Sequence, residues 1–229
     1  MVPHFPRWIW SWAALLPAVA GSVNATALLS LRHVGVTHLT GISTEAGIGL
    51  GAGDVDLLAH AAGVIASFTL GCAMSATVAR GPRWTPSIAA AGLLFGVALL
   101  LSVASLLLPE RPWLGVMLCA GAMGIQNGLT SALSGALLRT SHLTGMFTDL
   151  GIALGQKARG APVDARRVAV CLTVITSFIV GAVASAMAYA TWQGRCLSLS
   201  AAFAAVVGLS TLWLSRRAKA AAGITTPRE

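Results

Sequence analysis

Apolar and polar positions alternate along this chain in long blocks. Six apolar runs, roughly at 10–31, 58–79, 86–108, 113–135, 168–190 and 197–215, are each about twenty residues long. A helix of that length rises about 30 Å, the thickness of a bilayer's hydrocarbon core. Pro82, Pro86, Pro109 and Pro112 fall at the boundaries of these runs, and Trp8, Trp10, Trp84, Trp113, Trp192 and Trp213 near their ends. Indole rings belong at such positions, where lipid meets water. The pattern predicts six membrane-spanning helices and leaves no chain for a soluble domain.

Two polar-rich stretches interrupt the blocks, and they match each other. Residues 37–51 read THLTGISTEAGIGLG and residues 141–155 read SHLTGMFTDLGIALG; ten of the fifteen positions agree when Glu45 and Asp149 are counted as equivalent. Chance likeness between apolar helices gives shared Ala, Leu and Val, whereas here His, Leu, Thr, Gly, Thr and an acid are shared. Ser22-Val23-Asn24-Ala25 is answered by Ile125-Gln126-Asn127-Gly128 upstream, and Ser67-Phe68-x-x-Gly71-x-x-x-Ser75 by Ser177-Phe178-x-x-Gly181-x-x-x-Ser185 downstream. The chain is an internal duplication. Its first repeat is 1–109, its second 110–217, and a tail of 218–229 follows.

Each half therefore has a first span, the polar motif, a short stretch (41–52 or 145–156), and two further spans. A dozen residues cover about half a bilayer, so the short stretches are either re-entrant half-helices or brief full crossings. Positive charge arbitrates. With both re-entrant and the N-terminus inside, Arg7, Arg80, Arg83, Arg139, Lys157, Arg159, Arg166, Arg167, Arg216, Arg217, Lys219 and Arg228 lie inside, against Arg32, Arg111 and Arg195 outside. Twelve of 15 basic residues on one side is a stronger bias than the ten given by full crossings. The expected fold is an all-α polytopic membrane protein of two inverted three-span repeats.

Composition agrees. Of 229 residues, 56% are hydrophobic and 10% charged, well below the roughly 25% charged residues of soluble domains. The net charge of +8 sits between apolar runs and not in a polar patch, so it reads as topology, and nucleic acid is not an expected partner. Cys72, Cys119, Cys171 and Cys196 are widely spaced and read as small buried hydrophobes; no metal or other cofactor is expected. Arg7, the apolar run and Ala18-Val19-Ala20 mimic a signal peptide, but the segment has an internal counterpart and is expected to be retained.

The candidate binding residues are the polar ones at membrane depth. Thr40 and Thr144 are expected N-caps of the short helices, with Gly41 and Gly145 allowing close backbone approach. Two capped N-termini converging on a cavity favour an anion or the electronegative end of a solute. Glu45 and Asp149, with Thr44 and Thr148, add a cation- or proton-binding alternative, or each acid stabilises its own helix start from an aqueous vestibule. His38 and His142 suit proton coupling, hydrogen bonding to a solute, or pinning of the loop. Asn24, Gln126 and Asn127 are either interhelical bonds or cavity lining. Gly71, Ser75, Gly181 and Ser185 form small-residue faces for close packing within the chain or between protomers. No catalytic set emerges, and an enzyme ranks third.

Gly21 to Ala25, Thr40-Gly41, Met123-Gly124-Ile125-Gln126-Asn127, and Arg139-Thr140 to Thr144-Gly145 resemble the YoaK-like family of bacterial membrane proteins. The resemblance covers nearly the whole chain and implies the bacterial inner membrane but no defined activity; the charge bias puts both termini on the cytoplasmic side. That family usually carries Asp where Asn24 stands and Asn where Ile42 stands. The leading functional expectation is a channel or secondary transporter for a small polar solute or ion, its site at the repeat interface. The alternative is a structural or assembly subunit whose Gly/Ser faces dock on a larger complex or a second copy.

Overall fold

The described residues of the computed structural model, 7–31, 35–79, 85–135 and 139–221, are helical apart from short connections. Eight α-helices follow one another: α1 (Arg7–Ser30), α2 (Leu39–Ala52), α3 (Val55–Val78), α4 (Ile88–Leu107), α5 (Pro112–Ser134), α6 (Leu143–Ala158), α7 (Ala165–Trp192) and α8 (Leu197–Ala221). Among the described residues there is no strand. Five stretches of the described residues are long and apolar enough to cross a membrane: Trp8–Ser30, Val55–Val78, Ile88–Leu107, Pro112–Ser134 and Ala165–Ala220. The last, 56 residues long, holds α7 and α8 with a 3-10 turn between them, Gln193–Cys196. It has length for two crossings. This is an integral membrane protein: its surface carries bare apolar side chains such as Leu106 (70% exposed) and Met187 (73%), which lipid tolerates and water does not. His4, Arg32, His33, Arg80, Pro82, Arg83, Trp84 and Arg228 lie outside the described residues.

Helix starts are written in the sequence. Asp54 caps α3 by accepting from Leu57 N–H at 3.0 Å. Asp164 caps α7 by accepting from Arg166 N–H (3.0 Å) and Arg167 N–H (3.3 Å). Both acids stand at equivalent places in the two halves and satisfy otherwise orphaned donors. Gly53 ends α2 in a left-handed conformation (φ 69°), which lets α3 begin two residues later. Trp213 sits half-exposed near the end of the last helix, with the Arg217 guanidinium 3.8 Å from its ring centroid.

The halves pack by exchange. The main contacts of α3 are with α5, those of α1 with α7, and α4 packs on α8. Glycine makes the exchanged contacts close. A Cβ at Gly71 would overlap the Gly121 carbonyl oxygen, and one at Gly124 would overlap that of Phe68. In the equivalent pair, a Cβ at Gly181 would overlap the Ala18 carbonyl oxygen and one at Gly21 that of Phe178. Ser75 Oγ donates to the Ile125 carbonyl (2.6 Å), while Ser185 Oγ and Thr26 Oγ1 share a hydrogen bond at 2.6 Å. All four predicted packing residues, Gly71, Ser75, Gly181 and Ser185, are thus consumed inside the chain, joining one half to the other.

Contact order along each pair gives the chain directions. Ser67 lies by Gly121, Phe68 by Gly124, and Cys72 and Ser75 by Gly128, so α3 and α5 run the same way. Ala13 packs with Val170 and Val174, Ala18 lies against Gly181, and Thr26 bonds to Ser185, so α1 and α7 do likewise. Leu108 meets Gly194 whereas Leu94 and Phe95 meet Gly208, so α4 and α8 run oppositely. The central layer is buried: Leu94, Val97 and Leu101 of α4 and Val116, Met123 and Ile125 of α5 are at most 1% exposed.

Candidate functional site

Two amides, Asn24 half-buried and Asn127 buried, hold the motifs against their first helices. Asn24 Oδ1 accepts from the Thr37 backbone N–H at 3.1 Å, and Asn127 Oδ1 accepts from the Ser141 N–H at 3.3 Å. Each amide, on the first helix of its half, holds the residue preceding the His of its own motif. On the second side the network goes further. Gln126 Nε2 donates to the Leu16 carbonyl of α1 and to Thr140 Oγ1, both at 2.9 Å. Thr140 Oγ1 donates to Asn127 Oδ1 at 3.3 Å, and Asn127 Nδ2 to the Met123 carbonyl at 2.9 Å. Leu16 precedes Pro17 inside α1. One fully buried side chain thereby links α1, α5 and the approach to α6.

The start of each short helix differs from the expectation. Leu39 and Leu143 open α2 and α6, so His38 and His142 occupy the N-cap positions, with no side-chain capping bond. Thr40 and Thr144 lie in the first turn, and their carbonyls accept from Thr44 Oγ1 and Thr148 Oγ1, each at 2.9 Å. They are not caps. The imidazoles fold over the glycines instead: a Cβ at Gly41 would come within 2.6 Å of His38 Cδ2, and one at Gly145 within 2.5 Å of His142 Cδ2. Glycine at these places makes room for a histidine ring, a role distinct from backbone approach to a ligand.

Both motifs line one cavity of about 470 Å³, walled by Thr37, His38, Leu39 and Thr40 from one half and by Ser141, His142, Leu143 and Thr144 from the other. Phe68 and Cys72 of α3, Asn127, Gly128 and Ser131 of α5, and Arg139 complete it. Arg139 makes no ion pair among the described residues. An adjoining hollow of about 430 Å³ shares Arg139, His142 and Thr144 with this cavity, and adds Gly145, Thr148, Asp149 and Arg167.

Neither acid lines the cavity that holds both histidines. Asp149 lies in the adjoining hollow, where Arg167 grips it through Nη2 (2.8 Å to Oδ1) and Nε (3.2 Å to Oδ2). Glu45 is half-buried on α2 and lines neither space. Helix geometry bears on this: five residues advance a helix by about 140° beyond a full turn, so Glu45 leaves the face of Thr40, while Asp149 reaches the hollow that Thr144 also lines but not the larger cavity. The site residues that sequence reasoning missed are Arg139, Ser131 and Thr140. Arg139 stood inside the Arg-Thr-x-x-x-Thr-Gly motif, which was the available signal, but its charge was assigned to topology.

Cys119, Cys171 and Cys196 are buried and Cys72 is half-buried, all as free thiols. Among the described residues no cluster of three His, Cys, Asp or Glu side chains could hold a metal ion. No curated protein and no solved structure matches this chain. A family model described as "Protein of unknown function (DUF1275)" matches residues 12–210, which takes in both halves and both motifs, and the chain belongs to that family.

Proposed function

We propose that the protein is a small-solute transporter or channel of the bacterial inner membrane, built from two inverted repeats, with its site where their motif tips meet. The carrying observation is the single cavity lined by both His-Leu-Thr-Gly segments. Polar backbone and side chains at membrane depth are tolerated where they face a wet space or one another, and this cavity gives them both.

The inverted arrangement has its support in the helix directions. With α1, α4 and α7 running one way and α3, α5 and α8 the other, α1 ends where α3 begins, and α5 ends at the opposite side where α7 begins. Each short helix then joins two ends on the same side. At 14 and 16 residues, α2 and α6 rise only about 21–24 Å, too little for a crossing. Under that arrangement Arg139, Lys157, Arg159, Arg166, Arg167, Arg216, Arg217 and Lys219 fall at one end, and Asp54, Asp56 and Glu110 with Arg111 and Arg195 at the other. The positive end is the cytoplasmic one, together with both termini. The YoaK-like resemblance carried by Arg139 to Gly145 fits the same membrane.

A docking subunit would need free small-residue faces, and Gly71, Ser75, Gly181 and Ser185 are already covered by the chain's own helices. The test is uptake of a panel of labelled small solutes into proteoliposomes. Wild-type protein should carry at least one of them, and His142→Ala should lose most of that flux while melting as wild type does. Flux of none, with the protein leaving native membranes in a fixed ratio to another polypeptide, would favour the subunit reading instead.

A further inference from the structure

We infer that the cavity between the two motifs binds a small anion, a carboxylate or an inorganic oxyanion, with Arg139 as its charged partner and entry from the Arg139 end. The inference rests on the cavity being the solute site and adds the chemical class of the solute. Its wall carries one full cation, Arg139, and two imidazoles, His38 and His142, but no carboxylate. The adjoining hollow contains one acid, Asp149, and that acid is held at two points by Arg167. Negative charge near the mouth is therefore already matched, and Arg139 is left without a protein counter-ion among the described residues. A cleft lined by one sign of charge between low-dielectric walls concentrates the opposite ion.

Backbone dipoles point the same way. α2 and α6 both begin on the cavity wall without side-chain caps, so first-turn N–H groups present partial positive charge to it. At about 30 Å³ per water, a cavity of about 470 Å³ has room for a small anion and part of its hydration shell. Direction follows from a break in the duplication. The positions equivalent to Gly128, Ser131, Arg139 and Thr140 are Ala25, Leu28, Gly35 and Val36. At these positions the first half offers no charge where the second offers a cation and, on the cavity wall, the Ser131 hydroxyl; Val36 is fully buried. Among the described residues the cation thus stands on the second-half side of the cavity, and an anion entering from there meets it first.

The test uses purified full-length protein in phosphatidylcholine nanodiscs, titrated with sodium acetate, phosphate or chloride at fixed ionic strength held by a bulky sulfonate. Tryptophan fluorescence and melting temperature are the readouts, and acetamide serves as the uncharged match for acetate. Saturable stabilisation by acetate or phosphate and none by acetamide is expected. Arg139→Gln should weaken that response tenfold or more, and Arg139→Lys should keep part of it. Both should melt as wild type does without anion, because Arg139 is exposed and makes no ion pair. If phosphatidylglycerol nanodiscs abolish the response to free phosphate, the anion is a lipid headgroup; if they leave it unchanged, it is a free solute. An equal response to acetamide, no response to any of the three anions, or an unaltered response in Arg139→Gln overturns the inference. Anion binding without flux would sink transport and leave this standing. Flux of uncharged solutes without anion binding would do the reverse.

Discussion

Replacing Gly181 by alanine adds one methyl group at the place where α7 crosses α1. The new Cβ would overlap the Ala18 carbonyl oxygen and press on its carbon and Cα. Backbone atoms of a helix cannot rotate away, so the two helices must separate and lose contact along the whole crossing. Overpacking costs about 1–3 kcal/mol, and a rigid backbone partner puts this case at the upper end. Alanine also favours the helix over glycine by about 1 kcal/mol, leaving a net loss of about 2 kcal/mol. For a chain of this size that lowers the melting point by roughly 4–8 °C. Gly92 is the matched control: a Cβ there meets nothing within 4 Å, so Gly92→Ala gains the propensity alone and should melt at or above wild type. A thiol-reactive fluorophore reads the transition, because Cys119, Cys171 and Cys196 are buried until the bundle opens. Equal melting of Gly181→Ala and Gly92→Ala would refute the exchanged close packing.

Three further outcomes are expected. Single cysteines at 52–57 and at 157–167, in a background lacking the four native cysteines, should label from opposite sides of the membrane; labelling from one side would defeat the inverted repeat. Gln126→Leu removes the donors to the Leu16 carbonyl and Thr140 Oγ1 and should cost about 1–3 kcal/mol in chemical unfolding. A cost near zero would mean that the unpartnered Gln126 Oε1 already offsets those bonds. Asp149→Asn breaks an ion pair whose side chains are 26% and 53% exposed, so its melting point should fall by under about 1 kcal/mol equivalent; a collapse of the fold would show a structural role for Asp149.

The helices were legible because lipid demands unbroken apolar length, and the duplication was legible because its shared residues are polar where chance would supply Ala and Leu. The motif tips were found for the same reason: His and Thr at membrane depth need partners. What sits around the tips was harder. Thr40 and Thr144 look like caps by residue type, yet the chain turns into helix two residues sooner, with each histidine ring lying on a glycine. Glu45 and Asp149 are close to the motifs in sequence, but a five-residue step on a helix takes Glu45 off the cavity and Asp149 into the adjoining hollow. Arg139 was read as a topological charge, since one basic residue near a loop looks the same whether it faces headgroups or a solute. The small-residue faces gave the closeness of packing but not the partner: Gly71 suits Gly121 as well as it would suit a neighbouring molecule.

The exchange of partners between the halves bears on biogenesis. When the ribosome has finished the first half, α1 and α3 are inserted but neither has its main neighbour, and Gly21 and Gly71 face lipid with nothing to fill them. α3 meets α5 one hairpin later. α1 must wait for α7, and Leu16 waits for Gln126 to reach its carbonyl. The first half is thus a nascent intermediate held by the bilayer or an insertase, not a finished folding unit. Two separately translated halves should assemble only when both are present. Under the proposed inverted arrangement, an ancestor half this length would have needed a second copy of itself, inserted the opposite way up, before it could bury those glycines at all.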